Sequence, residues 1–437
     1  MILPNTPRPT LEPRAITALL RATPPVSPPP GPWALDLDFR RDELDPRLQI
    51  TAPGPKSYWD ADGILRVAPP GTWPIEWDPV TRERRGRSVW EAQTNSYIRS
   101  STIFTGNAGF LGVAGESGWD DPMGGAQAQL ITETLANSEH FANDRYINLT
   151  QGATYTFSCY ARLPEGVPAS RLMLRIAAGS NQGWGALDLA DGRTWTTGGV
   201  SSATYKALGG GLVRFWVTFT AAASALTNIR VQLTDEANRT SYPGRGAGLI
   251  LFGGQFVTGS VPGPYIPTEG AAVTRPAESV VLTRGDWFDL RQGTWIVEYR
   301  GSSLGTSQRS FALGTSQSGE FLEVVAKRAT SAIGRHLTVV SGGTTIDVGV
   351  GLPVASNDLV RMSFAYSEVS GGLADYAVSV NGAVAQERSA AAVARDAQQF
   401  CFGTGRSGGV HLNNVIQRVR YAPRRLSNAE LQSLSSA

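Results

Sequence analysis

The chain has 437 residues, 49 of them Gly and 27 Pro, with 17% charged residues and a formal net charge of +2. That length exceeds one ordinary domain and points to two or three. The near-neutral charge argues against a nucleic-acid binder or a protein held electrostatically to an anionic membrane. No run approaches the roughly 20 apolar residues needed to span a bilayer, so no membrane insertion is expected.

Residues 1–34 read as a tether. Pro24, Pro25, Pro28, Pro29, Pro30 and Pro32 impose an extended backbone without internal hydrogen bonds. The apolar run Ala15–Leu20 is walled in by Arg14, Arg21 and prolines, and is too short for a secretory signal. Within it Ile16, Leu19 and Leu20 share one edge of a helical turn or two, too short to be stable alone. The segment is either a disordered tail or an anchoring peptide that orders on docking to a larger assembly.

From residue 35 the period becomes two. Leu35, Leu37 and Phe39 alternate with Asp36 and Asp38, and Asp60-Ala61-Asp62-Gly63 is a turn joining "KSYW" to "ILRV" as a hairpin. The run "RERRGR" (82–87) reads as a solvated hairpin tip rather than a polyanion site. Trp59, Trp73, Trp77 and Trp90 sit beside turns and prolines, where large rings cover strand ends, and they read as mostly structural. Residues 35–95 therefore form a hairpin region packing on a sandwich.

Residues 96–277 form the next unit. Tyr155, Phe157 and Cys159 share one strand face, as do Val213, Phe215, Val217 and Phe219, and Ile229, Val231 and Leu233. Such strands separated by turns describe an antiparallel sandwich. Residues 278–437 repeat the pattern, with Asn381-Gly382 as a hairpin turn and Ser427 with Glu430 as the capping box of a short terminal helix. The expected fold class is all-β: tandem antiparallel β-sandwich (jelly-roll) domains after an extended Pro-rich N-terminal anchor. Cys159 and Cys401 read as inert core residues. His140, His336 and His411 lack metal-site spacing, so neither a metal nor another cofactor is expected.

Three motifs carry a resemblance. They are Tyr58-Trp59-Asp60-Ala61-Asp62-Gly63 followed by Pro74 to Thr81 and Glu91-Ala92-Gln93-Thr94-Asn95; "GPYIPTEGAAVTRPAESVVL" (263–282); and "RYAPRRLSNAELQSL" (420–434). In this order they resemble fibre, spike and receptor-binding proteins of tailed bacteriophages, prophages and gene transfer agents. The resemblance implies a carbohydrate-binding-module-like sandwich over 96–277 and a concanavalin-A-like (laminin-G-type) lectin sandwich over 278–437. It further implies a virion-surface protein, assembled in the bacterial cytoplasm; residues 1–34 lie outside the resemblance and are expected to anchor it to other virion proteins. Such a protein would form a homo-oligomer, a trimer before a pentamer, and attach to host-surface polysaccharide. A purely structural decoration protein and a glycan-degrading depolymerase are the alternatives.

The residues favour binding over catalysis. The E-x-D-x-x-E strand of retaining glucanases is missing after residue 278; Glu320 and Glu323 lack the central Asp. No nucleophile elbow, metal motif, P-loop or fixed-period repeat is present. A binding site needs rings and short polar side chains on a rigid scaffold. The candidates are Trp119 with Asp120 and Asp121, Trp184 with Asn181 and Gln182, Trp195, and Tyr242, each of which could equally be a plug at a sheet edge. The loops 301–310 and 405–414 hold no aromatic residue, and the choice between the two sandwiches stays open.

Overall fold

A computed structural model describes residues 33–103, 109–177, 182–301, 308–314, 321–327, 335–341, 344–350, 358–391, 398–405 and 410–436. The tether with Ile16, Leu19 and Leu20 lies outside them, as do Asn181, Glu320 and most of the 301–310 loop. Among the described residues the fold is all-β and antiparallel in its named ladders, built as β-sandwiches, with one α-helix, Asn428–Ser436.

The first sandwich packs two sheets. The five-stranded sheet runs His140–Leu149, Ala225–Thr234, Arg171–Ile176, Gly183–Leu187, Thr194–Gly198. The six-stranded sheet runs Ser202–Ala207, Val213–Thr220, Thr154–Arg162, Gly248–Thr258, Ala128–Glu133, Val113–Trp119. The alternating residues meet between them: Phe157, Cys159, Phe215, Val217, Ile229 and Val231 are all fully buried in one cluster. Cys159 and Cys401 are both buried outside any disulfide, and burial pushes the Cys159 thiol up to about 12, so it is inert at physiological pH.

The second sandwich is assembled from both ends of the described chain. One sheet takes Gln386–Ala391, Leu373–Val380, Leu359–Glu368, Gln292–Arg300, Asn414–Ala422, Arg84–Val89 and Glu76–Trp77, with Leu35–Asp38 also paired to Asn414–Ala422. The other begins Leu48–Thr51, Ser279–Thr283, Gln399–Phe402 and continues through four strands of 308–350. Leu35, Leu37 and Phe39 drop into the core beside Trp295 and Tyr421, while Asp36 on the opposite face takes a bidentate ion pair from Arg418 at 2.7 and 2.6 Å. Residues 35–89 thus interleave with 279–422, and the first sandwich is inserted between them in chain order. The helix starts at the expected capping box, Ser427 N donating to Glu430 at 2.7 Å, and buries Leu431 against Ala365 and Ala377.

The "RERRGR" expectation is corrected. Asp78 caps the turn through the backbone N–H groups of Val80 and Thr81, so the exposed tip shrinks to Val80–Glu83. Strand Arg84–Val89 then pairs with Asn414–Ala422. Its arginines find acceptors inside: Arg85 pairs with Asp78, and buried Arg87 donates to the carbonyls of Trp73 and Arg41.

The two sandwiches meet at a polar joint. Lys56 and Glu278, 2% and 4% exposed, form an ion pair at 2.8 Å. The ammonium also donates to the Ser88 carbonyl at 3.0 Å, and the second Glu278 oxygen accepts the Trp90 N–H at 3.0 Å. Asn95, fully buried, donates to the Gly254 and Ile266 carbonyls and accepts from the Tyr97 and Phe256 N–H groups, so both ends of its amide are satisfied. Ser57 donates to the Tyr265 carbonyl at 2.6 Å. Removing one partner of a buried ion pair strands the other. Lys56→Met should therefore lower the unfolding free energy by about 3–5 kcal/mol in denaturant titration, with Lys56→Met/Glu278→Leu recovering part of the loss. A single-variant loss under about 1 kcal/mol, the range of an exposed pair, would contradict this account of the joint.

Candidate functional site

The sequence candidates separate into three places. Trp119 ends its strand half-buried, packed with Trp59 and Met123 on a cluster containing Leu65 and Tyr160. Asp120 is exposed, and its carbonyl accepts from Arg162 at 3.2 Å. Asp121 staples the loop by accepting the N–H groups of Met123, Gly125 and Gln127, and the Pro122 carbonyl accepts the Leu65 N–H at 2.7 Å. This loop seats the hairpin of residues 56–68. Tyr242 is not an exposed ring: it is 1% exposed, its hydroxyl donates to Glu133 at 2.5 Å, and its ring lies 4.6 Å from that of His140. The polar tip that made it a candidate is spent on a buried carboxylate.

Trp184 and Trp195 do come together on the five-stranded sheet, with Gln182 just ahead of the Gly183–Leu187 strand. Trp184 is paired to Arg175 and Thr197, and Trp195 to Ala186, while Leu172, Leu174 and Leu187 fill the core side; the two rings therefore share the outer face. That face is largely self-satisfied. Trp195 lies under the guanidinium groups of Arg171 at 4.4 Å and Arg193 at 5.6 Å. Glu139 bridges Arg175 at 2.5 Å and Arg230 at 2.6 Å.

A cavity of about 210 Å³ lies elsewhere, on the outer face of the six-stranded sheet where the joint covers it. Its walls are the half-buried rings of Tyr58, Trp59, Trp77, Trp90 and Trp216, over Tyr160 and Tyr265, packed edge-to-face at 5.9 Å. Asn413 and Asn414 of the second sandwich close one side. Strand alternation sets the floor. Phe215 and Val217 point to the core, so Arg214 and Trp216 point out, with Lys206 and Thr204 directly opposite them and Tyr160 opposite Arg214 on the other side. An outward Trp and Arg on the strand whose inward residues are most apolar marks a covered or ligand-bearing face; that was the sequence signal available and not used.

The charges in this cleft are Arg85, Lys206, Arg214 and Glu76, the one carboxylate among its described lining residues. Arg214 donates to the Gly263 carbonyl at 2.6 Å and to Ser158 at 3.3 Å, with its guanidinium 5.1 Å over the Tyr160 ring. Glu76 accepts from Ser88 at 2.7 Å, and desolvation holds its carboxyl above the usual range against the pull of Lys56. Lys206 makes no hydrogen bond or ion pair with a described residue. Desolvation, reinforced by Arg85, pushes its ammonium down to about 8 from 10.5. Among the described residues, Arg85 Nε, Arg214 Nε and Trp90 Nε1 are buried from solvent and meet no acceptor. Flat rings beside hydrogen-bond donors suit a ring-shaped, oxygen-rich molecule with one apolar face.

Lys206 sets a stability test. Its folded pKa lies below its unfolded value, so the unfolded chain binds more protons between about 8 and 10.5, and stability rises with pH across that window. The cost of charging Lys206 is complete below pH 8 and absent above 10.5. Lys206→Met should therefore raise the thermal midpoint at pH 7, by about 2–4 °C per kcal/mol relieved, and the gain over the parent should fade towards pH 10.5. A lowered midpoint at pH 7 would contradict the assignment.

No protein-family model matches the chain, and no curated protein matches it significantly. Among solved structures it is similar to the CBM40 module of the Ruminococcus gnavus IT-sialidase, at 17% identity over 34% of this chain and 84% of that one, with a TM-score of 0.26. The same module bound to α2,6-sialyllactose aligns at 19% identity over 33% and 84%, TM-score 0.26. Domain 4 of AbnA, a GH43 extracellular arabinanase from Geobacillus stearothermophilus in complex with arabinotriose, aligns at 13% identity over 40% and 82%, TM-score 0.30. Likeness at this level carries no argument about function, which rests below on the residues themselves.

Proposed function

We propose that this chain is a non-catalytic saccharide-binding protein of a virion or virion-like particle, attaching it to host-surface polysaccharide through the cleft between the sandwiches. The observation that carries the binding half is the cleft itself, where five half-buried aromatic rings and the Lys206 ammonium line one cavity. The virion half rests on the three motifs of residues 58–95, 263–282 and 420–434. Binding without cleavage is supported by the single carboxylate, Glu76, in the described lining; glycosidic hydrolysis uses two acidic groups about 5–10 Å apart. In this reading Ile16, Leu19 and Leu20 of the tether dock on other virion proteins. A single lectin-type site binds at about millimolar Kd, or about −4 kcal/mol. A homo-oligomer, with a trimer the favoured form, would add avidity of about 10²–10⁴.

Binding of the purified chain to host capsule or other surface polysaccharide tests the site. Trp77→Ala and Trp216→Ala should each weaken it by about 1–3 kcal/mol with circular dichroism unchanged, and polysaccharide chain length should stay constant on long incubation. Loss of binding in Trp184→Ala, with both cleft variants unaffected, would move the site to the outer face of the five-stranded sheet. Shortened polysaccharide would overturn the non-catalytic reading.

Deletion of residues 1–32 tests the anchor separately. The described sandwiches begin beyond it, so the truncated chain should fold and bind polysaccharide yet fail to join particles. Normal incorporation would refute the anchoring role.

A further inference from the structure

We propose that the cleft selects a saccharide bearing an acidic group, whose anionic oxygens are met by Lys206, with Arg85 and Arg214 adding to the positive field. This rests on the saccharide-binding reading above and adds the ligand's charge. The first observation is one of sign. The cleft is lined by three cations, Arg85, Lys206 and Arg214, against one carboxylate, Glu76. A neutral sugar hydroxyl both gives and accepts, whereas an excess of cationic donors favours a ligand with an excess of acceptors.

The second observation is the placement of Lys206. Register puts it directly opposite Arg214 on the neighbouring strand, with Arg85 approaching from the covering segment. Arg85 is neutralised by Asp78, and Glu76 offsets one more charge, which leaves one positive charge without a counterion. Lys206 is half-buried on the edge strand Ser202–Ala207, and its ammonium lines the cleft without a partner among the described residues. An anion entering the cleft turns the cost of desolvating it into attraction, because charge-assisted hydrogen bonds strengthen as water is excluded. The flanking Trp216 and Trp77 supply the faces on which the rest of the sugar ring rests.

The shared chemistry, an anionic group on a sugar ring, can come from a carboxylate or a phosphate. The test titrates the full chain, followed by tryptophan fluorescence, with the methyl glycosides of glucuronic and galacturonic acid. Methyl glucoside and methyl galactoside serve as their neutral counterparts, and glucose 1-phosphate and sodium acetate as further probes. At least one acidic glycoside should bind 10-fold or more tighter than its neutral counterpart. The preference should collapse in 1 M NaCl and in both Lys206→Met and Lys206→Gln. A stronger preference for glucose 1-phosphate than for the uronides keeps the inference and assigns phosphate as the acid. Equal binding of acidic and neutral glycosides, abolished by Trp216→Ala, would overturn the inference and leave the saccharide reading standing. Acetate binding as tightly as the uronides would overturn it as an anion site without sugar recognition. No binding by any glycoside would overturn the inference and the saccharide reading of this cleft together.

Discussion

The buried ion pair between Lys56 and Glu278 is the contact on which the relation of the two sandwiches turns. Such a pair adds little net stability over a well-packed apolar one; its value is directional. The ammonium reaches Glu278 and both the carbonyl and the hydroxyl of Ser88, while Glu278 also fixes the Trp90 N–H, and its carbonyl meets His411 at 3.0 Å. One interaction thus orients the hairpin of residues 56–68, the strand of residues 84–89, the connector after the first sandwich and a loop of the second. Trp59, Trp77 and Trp90 are held as walls of the cleft by those same segments. The cleft is therefore a property of the joint, and neither sandwich contains it alone.

The alternation of apolar residues made the fold class legible, because it reports which side of a strand is buried. It does not report the neighbour. Leu35, Leu37 and Phe39 read correctly as an inward face, yet their strand pairs with Asn414–Ala422, Asp36 meeting Arg418 across 382 residues. A pattern with period two has no term for that separation. The "RERRGR" run misled for a related reason: charge density marks a solvated turn only if no acceptors wait inside, and here Asp78 and the Trp73 and Arg41 carbonyls do.

The site was less legible than the fold. Reasoning from rings in polar loops selected Trp119, which seats a hairpin, and Tyr242, which is spent on Glu133. It did place Trp184 and Trp195 on one sheet, with Gln182 just ahead of it. The cleft residues come instead from separate stretches near 58–90, 160, 206–216, 261–265 and 413–415, and no local window contains more than part of them. The motifs that carry the resemblance also acquire a physical meaning. Asn95 pins the segments at the end of the first sandwich and the Tyr265 carbonyl holds Ser57 of the hairpin, whereas Trp59, Trp77 and Trp90 both cover strand ends and face the cavity. In the proposed reading, structure and recognition draw on the same residues.

The central claim is that a saccharide occupies the cleft between the sandwiches. A crystal structure of the full chain soaked with oligosaccharides released from the host polysaccharide tests it most directly. The account predicts a sugar ring lying against Trp216 and Trp77 within hydrogen-bond distance of Lys206. Sugar density confined to the outer face of the five-stranded sheet, beside Trp184, with the cleft holding none, would contradict it.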